Sequence, residues 1–285
     1  MSQAYQRFLA EAAPRSAAQR VWTPTDGSLP ALYLGHGAPP LLDDAVWMRQ
    51  LFDWALSMPK PKAILVISAH WEHAPLSISS TAAGTPLVYD FGGFEPRFYR
   101  MTYPTPDASA LGRRIAALMP DTVGVHEHRR RGLDHGAWVP LKAMYPNADV
   151  PVVQLSLPTQ HPDGLLKLGR RLAELRREGV LIIGSGFMTH GLPFLRRVDV
   201  LGQAPPPAWS VDFDAWAADA LARGDIDTLA AFQDRAPGMP YAHPTVDHYI
   251  PLFVTLGAAD NPESSVTTTI EGYFMGLSKR SFQVS

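Results

Sequence analysis

Five short apolar runs, Ala31–Leu34, Ala63–Ser68, Leu76–Ser79, Val150–Leu157 and Val180–Gly184, stand between turn residues and are rich in Leu or β-branched side chains. Runs of this length and composition predict strands buried on both faces. The segments between them follow helical spacing. Asp43–Ser57 sets Leu, Trp and Met three and four apart, Asp107–Met119 follows Pro106 and opens on an acidic residue, and Asp163–Glu178 carries a polar Arg/Glu face. Ser210–Leu221 and Asp225–Phe232 read as a helical pair, and Val246–Leu256 as a helix capped by Thr245. Strands alternating with helices predict an α/β fold, a single domain whose central, mostly parallel sheet is flanked by helices. The stretch Thr267–Val284 breaks the rhythm around Gly272 and Gly276 and predicts added antiparallel strands. Residues 1–30 read as an N-terminal helical lead-in on the outside of a domain spanning 31–285. The Pro-rich patch at Ala204–Pro207 is a loop too short to divide it.

Composition narrows the chemistry. Of 285 residues 46% are apolar and 18% charged, with a net charge of −2, which gives no footing for nucleic acid or an anionic membrane. No apolar run reaches transmembrane length, and MSQAYQRFLAEAAPRSAAQR lacks the apolar centre of a secretory signal, so a cytoplasmic location is expected. Cysteine is absent. Disulfides and thiolate zinc sites are therefore excluded, and any metal must take nitrogen and oxygen ligands. Attention moves to the ten histidines.

Three of them fall at or just past the carboxyl ends of expected strands: His36 in Gly35-His36-Gly37, His70 in Ser68-Ala69-His70-Trp71, and His190 beyond Gly184-Ser185-Gly186. In open α/β sheets ligands bind at that edge, so the three can converge, and His243 can join from the loop opening the last helix. Imidazole ligates iron, zinc, copper or nickel. Taken singly, each of these histidines reads more readily as a surface or hydrogen-bonded core residue than as a ligand. His135 follows Asp134, which reads as its partner or as a helix cap. The run His126–Arg131 reads as a solvated charged loop, and His73, His161 and His248 have no supporting context. Gly184-Ser185-Gly186 lacks the spacing of a hydrolase nucleophile elbow. The aromatic segment Phe91–Tyr103 is a candidate pocket wall or lid.

Six blocks carry a family resemblance: GHGAPP at Gly35–Pro40, SAHWE at Ser68–Glu72, YDFGGFEPRFYRMTYP at Tyr89–Pro104, GLDHGAWVPL at Gly132–Leu141, GSGFMTHGL at Gly184–Leu192 and HPTVDHYIPL at His243–Leu252. In this order they resemble the class III extradiol ring-cleaving dioxygenases of the DOPA 4,5-dioxygenase type. The resemblance implies a single catalytic dioxygenase domain over 31–285, with the active site at the C-terminal ends of the strands. It implies metal ligation by His36, His70 and His243, and an acid–base role for His190, which some descriptions of the family count as a fourth ligand. It also implies a place near the substrate for His135. The expected cofactor is Fe(II), with Zn(II) able to occupy the same site in isolated protein. The expected partners are a catechol and O₂, giving a muconic semialdehyde. Gly191, Asp247 and Ala38 stand where the family more often has Asn, Glu and Ser, departures that bear on substrate preference. Two other readings use the same residues: a zinc-dependent hydrolase on the same histidines, and a non-enzymatic, Memo-like binding protein.

Overall fold

The computed structural model describes residues 2–285. Eight strands form one sheet: β1 (Ala31–Gly35), β2 (Ala63–Glu72), β3 (Ser77–Ser79), β4 (His126–His128), β5 (Val152–Leu157), β6 (Val180–Gly186), β7 (Thr267–Ile270) and, last in the chain, β10 (Ser281–Val284). Between the last two, β8 (Tyr273–Phe274) and β9 (Leu277–Ser278) make a separate hairpin. The strand order is β4-β3-β5-β2-β6-β1-β10-β7. Its centre, β5-β2-β6-β1, is parallel, and β10 and β7 add the antiparallel edge expected from the C-terminal run. The helices are α1 (Gln3–Ala17), α2 (Ala45–Leu56), α3 (Ser109–Leu118), α4 (His135–Met144), α5 (Pro162–Leu172), α6 (Glu174–Arg177), α7 (Arg197–Val200), α8 (Ala208–Arg223), α9 (Ile226–Ala230), α10 (Phe232–Arg235) and α11 (Pro251–Gly257).

The central strands are apolar throughout because alternate residues feed two cores. Leu32, Leu34, Ile64, Val66, Leu181 and Ile183 face one core, with Trp47 and Leu51 of α2 and Trp138 and Leu141 of α4. Ala31, Tyr33, Leu65, Ile67 and Ile182 face the other, with Leu165 and Leu168 of α5 and Leu252 and Phe253 of α11. Helix α1 buries Tyr5 and Ala12, and its Phe8 meets Phe52 of α2 edge-on at 5.8 Å.

Some elements differ from expectation. Helix α4 was foreseen only as a cap, because nearly every residue in it is buried and no polar stripe marks it. His126–His128, expected as loop, is a parallel edge strand on β3; its side chains are mostly exposed, so no apolar alternation announces it. The final helix begins at Pro251 rather than Val246, and the residues before it form turns. Proline suits the first helical turn, where its missing N–H has no partner to lose. The stretch Asp163–Glu178 divides into α5 and α6.

Candidate functional site

A crevice forms here because β6 lies between β1 and β2, so the chain leaves three adjacent strands at the same edge. Immediately after β1, the backbone N–H of His36 donates to Gly186 O at 3.0 Å, which locks the turn to the end of β6. Gly37 then reverses the chain at φ +61°, where a Cβ would strike Leu41. His70 lies within β2. His248 comes from the turn before α11, and its carbonyl accepts from Phe187 N and from the Tyr33 hydroxyl, both at 2.9 Å. Gly186 makes that approach possible, since a Cβ there would sit 2.1 Å from His248 O.

Three imidazoles meet at this edge through the same atom. His36 Nε2 lies 3.0 Å from His70 Nε2, which lies 3.2 Å from His248 Nε2. The opposite nitrogens fix the tautomers. Ser185 donates its hydroxyl to Gly136 O at 2.5 Å, so it accepts from His36 Nδ1 at 3.0 Å. His248 Nδ1 donates to Asp247 Oδ2 at 2.6 Å, and His70 Nδ1 faces Asp90 Oδ2 at 3.5 Å. With the protons on Nδ1, three Nε2 lone pairs point at one another. Lone pairs cannot hydrogen-bond among themselves, so the arrangement is complementary to an electrophile, and a divalent metal fits it. Burial and then the neighbouring imidazoles hold His36 and His248 well below the ordinary histidine pKa. Burial likewise lowers His70 to about 3.

Two further histidines flank the three. His135 opens α4, and its backbone N–H and Nδ1 both donate to Asp90 Oδ1, at 3.1 and 2.8 Å. Its ring lies 3.9 Å from that of His70. Burial opposes ionisation of Asp90, but the two hydrogen bonds it accepts from His135 outweigh that and hold the carboxyl below its usual pKa. His190 stacks on His248 with ring centres 3.4 Å apart, and burial lowers its pKa to about 4. Asp134 does not cap α4 with its side chain; its carboxylate takes Ser68 Oγ at 2.8 Å, Gln154 Nε2, and Arg131 at 3.2 Å.

His243, expected as a ligand, lies outside this group. It is buried against Phe213, Phe232 and Tyr249, with Nε2 2.9 Å from Met188 O. The turn Pro244–Ile250 carries the chain from this packed layer to the cavity, so the histidine that reaches the edge is His248. His36, His70, His135 and His190 lie together at this edge. Asp90 and His248 are the residues that reading the sequence passed over. The available signal for His248 was its neighbour Asp247, a carboxylate able to fix its tautomer. Above the imidazoles a cavity of about 260 Å³ is walled by Phe91 and Phe94 of the aromatic segment, by Phe187 and Leu192, and by Phe274, Met275 and Leu277 of the β8–β9 hairpin.

The fold and this edge define an α/β protein with an imidazole-rich, metal-competent pocket. Comparison with known proteins gives that class its family. Residues 35–279 match the family described as the catalytic LigB subunit of aromatic ring-opening dioxygenase. A Beta vulgaris protein named 4,5-DOPA dioxygenase extradiol is 41% identical over 243 residues, 80% of this chain and 85% of the relative. An Escherichia coli K12 protein of the same name is 36% identical over 262 residues, 90% and 94% of the two chains. The crystal structure of an uncharacterized Escherichia coli K12 protein superposes with a TM-score of 0.74 at 32% identity, covering 90% of this chain and all of that one. The chain belongs to this family and is an extradiol aromatic ring-opening dioxygenase. Among the described residues, no helix is long and apolar enough to cross a membrane.

Proposed function

We propose that the protein opens the ring of a DOPA-like catechol with O₂, using a divalent metal, iron(II), held by the Nε2 atoms of His36, His70 and His248. One observation carries the assignment: three Nε2 atoms within 3.0 and 3.2 Å, each on a ring whose Nδ1 faces an oxygen. A bound iron(II) supplies electron exchange with O₂ and open positions for both substrates. The chain supplies the rest. Three neutral ligands leave the site's charge uncompensated and favour an anionic catecholate. His190, uncharged at neutral pH, accepts a proton from a catechol hydroxyl and can return it later in the reaction. His135, its Nδ1 proton engaged by Asp90, turns Nε2 as an acceptor toward a substrate hydroxyl. The aromatic walls exclude water. Both oxygen atoms of O₂ enter the product, the ring bond beside the diol breaks, and the muconic semialdehyde forms without an external reductant.

The test is anaerobic loading with iron(II), then addition of a catechol and air. A yellow product and one O₂ consumed per catechol are expected. Absence of product across a broad catechol panel defeats the proposal, and turnover without O₂ replaces it with a hydrolase. His190→Ala is expected to keep the metal and lose turnover by about 10²–10⁴-fold.

A further inference from the structure

A second cavity, of about 180 Å³, lies between the end of the aromatic segment and α4 and shares no residue with the catalytic one. Its walls are Arg97, Arg100, Met101, Thr102 and Lys142, three cations and no carboxylate. Lys142 is only 8% exposed, and its ammonium lies over the rings of Tyr5 and Tyr103, 5.4 and 5.9 Å from their centres. Its hydrogen bond goes to a neutral acceptor on the cavity wall, Thr102 O at 2.7 Å. Burial without a counter-charge destabilises an ammonium, and the pKa of Lys142 falls from 10.5 to about 8 by burial alone. Arg97 is bonded to Asp43 at 2.5 Å and to Glu95 at 2.9 Å. Among the described residues, neither Lys142 nor the exposed Arg100 forms an ion pair. These three cations and two carboxylates therefore leave one positive charge in excess, on the side of Lys142 and Arg100.

We infer that this cavity is a binding site for a phosphate group, free or carried on a small monoester, held by Lys142 and Arg100. The Lys142 ammonium has two protons left after its bond to Thr102 O, and the Arg100 guanidinium keeps its whole donor fork. Two unpaired cations answer both charges of a phosphate dianion, whereas a carboxylate answers one. The two tyrosine rings already hold the ammonium in place, so little side-chain freedom remains to be lost there on binding. A bound phosphate would bridge two elements. Arg100 belongs to the segment whose Phe91 and Phe94 wall the catalytic cavity, and Lys142 to the helix that opens with His135. The assignment uses no residue of the metal-competent edge and does not depend on the ring-opening reading.

Calorimetric titration of the full chain at pH 7 and constant ionic strength compares inorganic phosphate, glycerol 3-phosphate and acetate. Phosphate is expected to bind once per chain with Kd at or below about 1 mM, and at least about tenfold more tightly than acetate. Lys142→Met and Arg100→Ala are each expected to weaken phosphate by about tenfold or more, while Arg130→Ala, on the exposed run after β4, leaves it unchanged. Arg100 is exposed, so its replacement keeps the fold and the test stands even where Lys142→Met does not fold. Amide exchange over residues 97–102 is expected to slow with phosphate in the parent and in neither variant, which separates this cavity from phosphate bound at a metal. Binding of the ester as well as the ion identifies a phosphomonoester as ligand, and binding of the ion alone identifies free phosphate; either supports the site. Absence of saturable binding, acetate equalling phosphate, or an affinity unchanged by Arg100→Ala overturns the inference.

Discussion

Replacing Gly186 with alanine tests how the sheet holds the pocket. The new Cβ would stand 2.1 Å from His248 O, and ordinary contact begins near 3.4 Å, so that carbonyl must retreat by about 1.3 Å. It cannot do so freely. Phe187 N and the Tyr33 hydroxyl both donate to it at 2.9 Å, and the same Cβ would lie 3.0 Å from the Tyr33 hydroxyl. Overpacking of a buried position costs about 1–3 kcal/mol, which in a domain of this size lowers Tm by roughly 2–12 °C. The larger consequence concerns His248. An ångström of backbone movement exceeds the tolerance of a metal site, and affinity should fall by at least the roughly 10–100-fold typical of lost supporting contacts. The assay is metal content per chain after dialysis against a graded chelator, read beside thermal unfolding. Gly224→Ala is the control, because its Cβ would collide with Glu263 O at the end of α8, far along the chain from the imidazoles. That variant should lose stability and keep the metal. If Gly186→Ala binds metal as the parent does, or if Gly224→Ala loses metal equally, the proposed route from β6 to His248 is refuted.

Two other substitutions separate packing from ligation. His248→Ala should abolish stoichiometric metal binding, whereas His243→Leu should keep the metal and lose about 1–3 kcal/mol of stability through the unpaired Met188 carbonyl; metal analysis that reverses this order would return His243 to the ligand set. Lys142 is buried, with its ammonium donating to Thr102 O at 2.7 Å, and burial lowers its pKa from 10.5 to about 8. Between about pH 8 and 10.5 the unfolded chain holds the extra proton, so this residue makes stability rise with pH across that window by about 3 kcal/mol. Lys142→Met should flatten the rise and stabilise the protein by about 2 kcal/mol at pH 7, allowing for the lost hydrogen bond, as read from urea midpoints at the two pH values.

The sheet was legible because its centre is parallel and covered on both faces, which forces unbroken apolar runs such as Ala63–Ser68 and Val180–Gly184. The strand-end histidines were legible for the same reason, since a buried strand fixes where its carboxyl end emerges. Elements whose surroundings are uniform were not. Helix α4 is buried on every side and β4 exposed on both, so neither shows a period. His243 and His248 stand five residues apart within one block, and their fates depend on how the intervening turn is wound. Read as the start of a helix, that segment sends His243 to the rim. With the helix starting at Pro251, the turn instead leaves His243 among Phe213, Phe232 and Tyr249.

The local geometry also explains why the pocket needs its far partners. Each Nε2 faces the common point only while its ring is turned by a partner on the other side, and those partners come from different places: Ser185 within β6, Asp90 just before the aromatic segment, Asp247 beside His248. Backbone links tie the same pieces together, His36 N to Gly186 O and Phe187 N to His248 O. The end of β6 therefore touches two of the three imidazoles through its main chain and a third element, α4, through the bond from Ser185 to Gly136. A disturbance there reaches several donors at once, whereas one at Asp90 reaches His70 and His135 and leaves His36 and His248 in place. Metal affinity should accordingly be most sensitive to small changes at residues 184–187. The wall residues of the β8–β9 hairpin, which touch none of these bonds, are free to vary with the substrate.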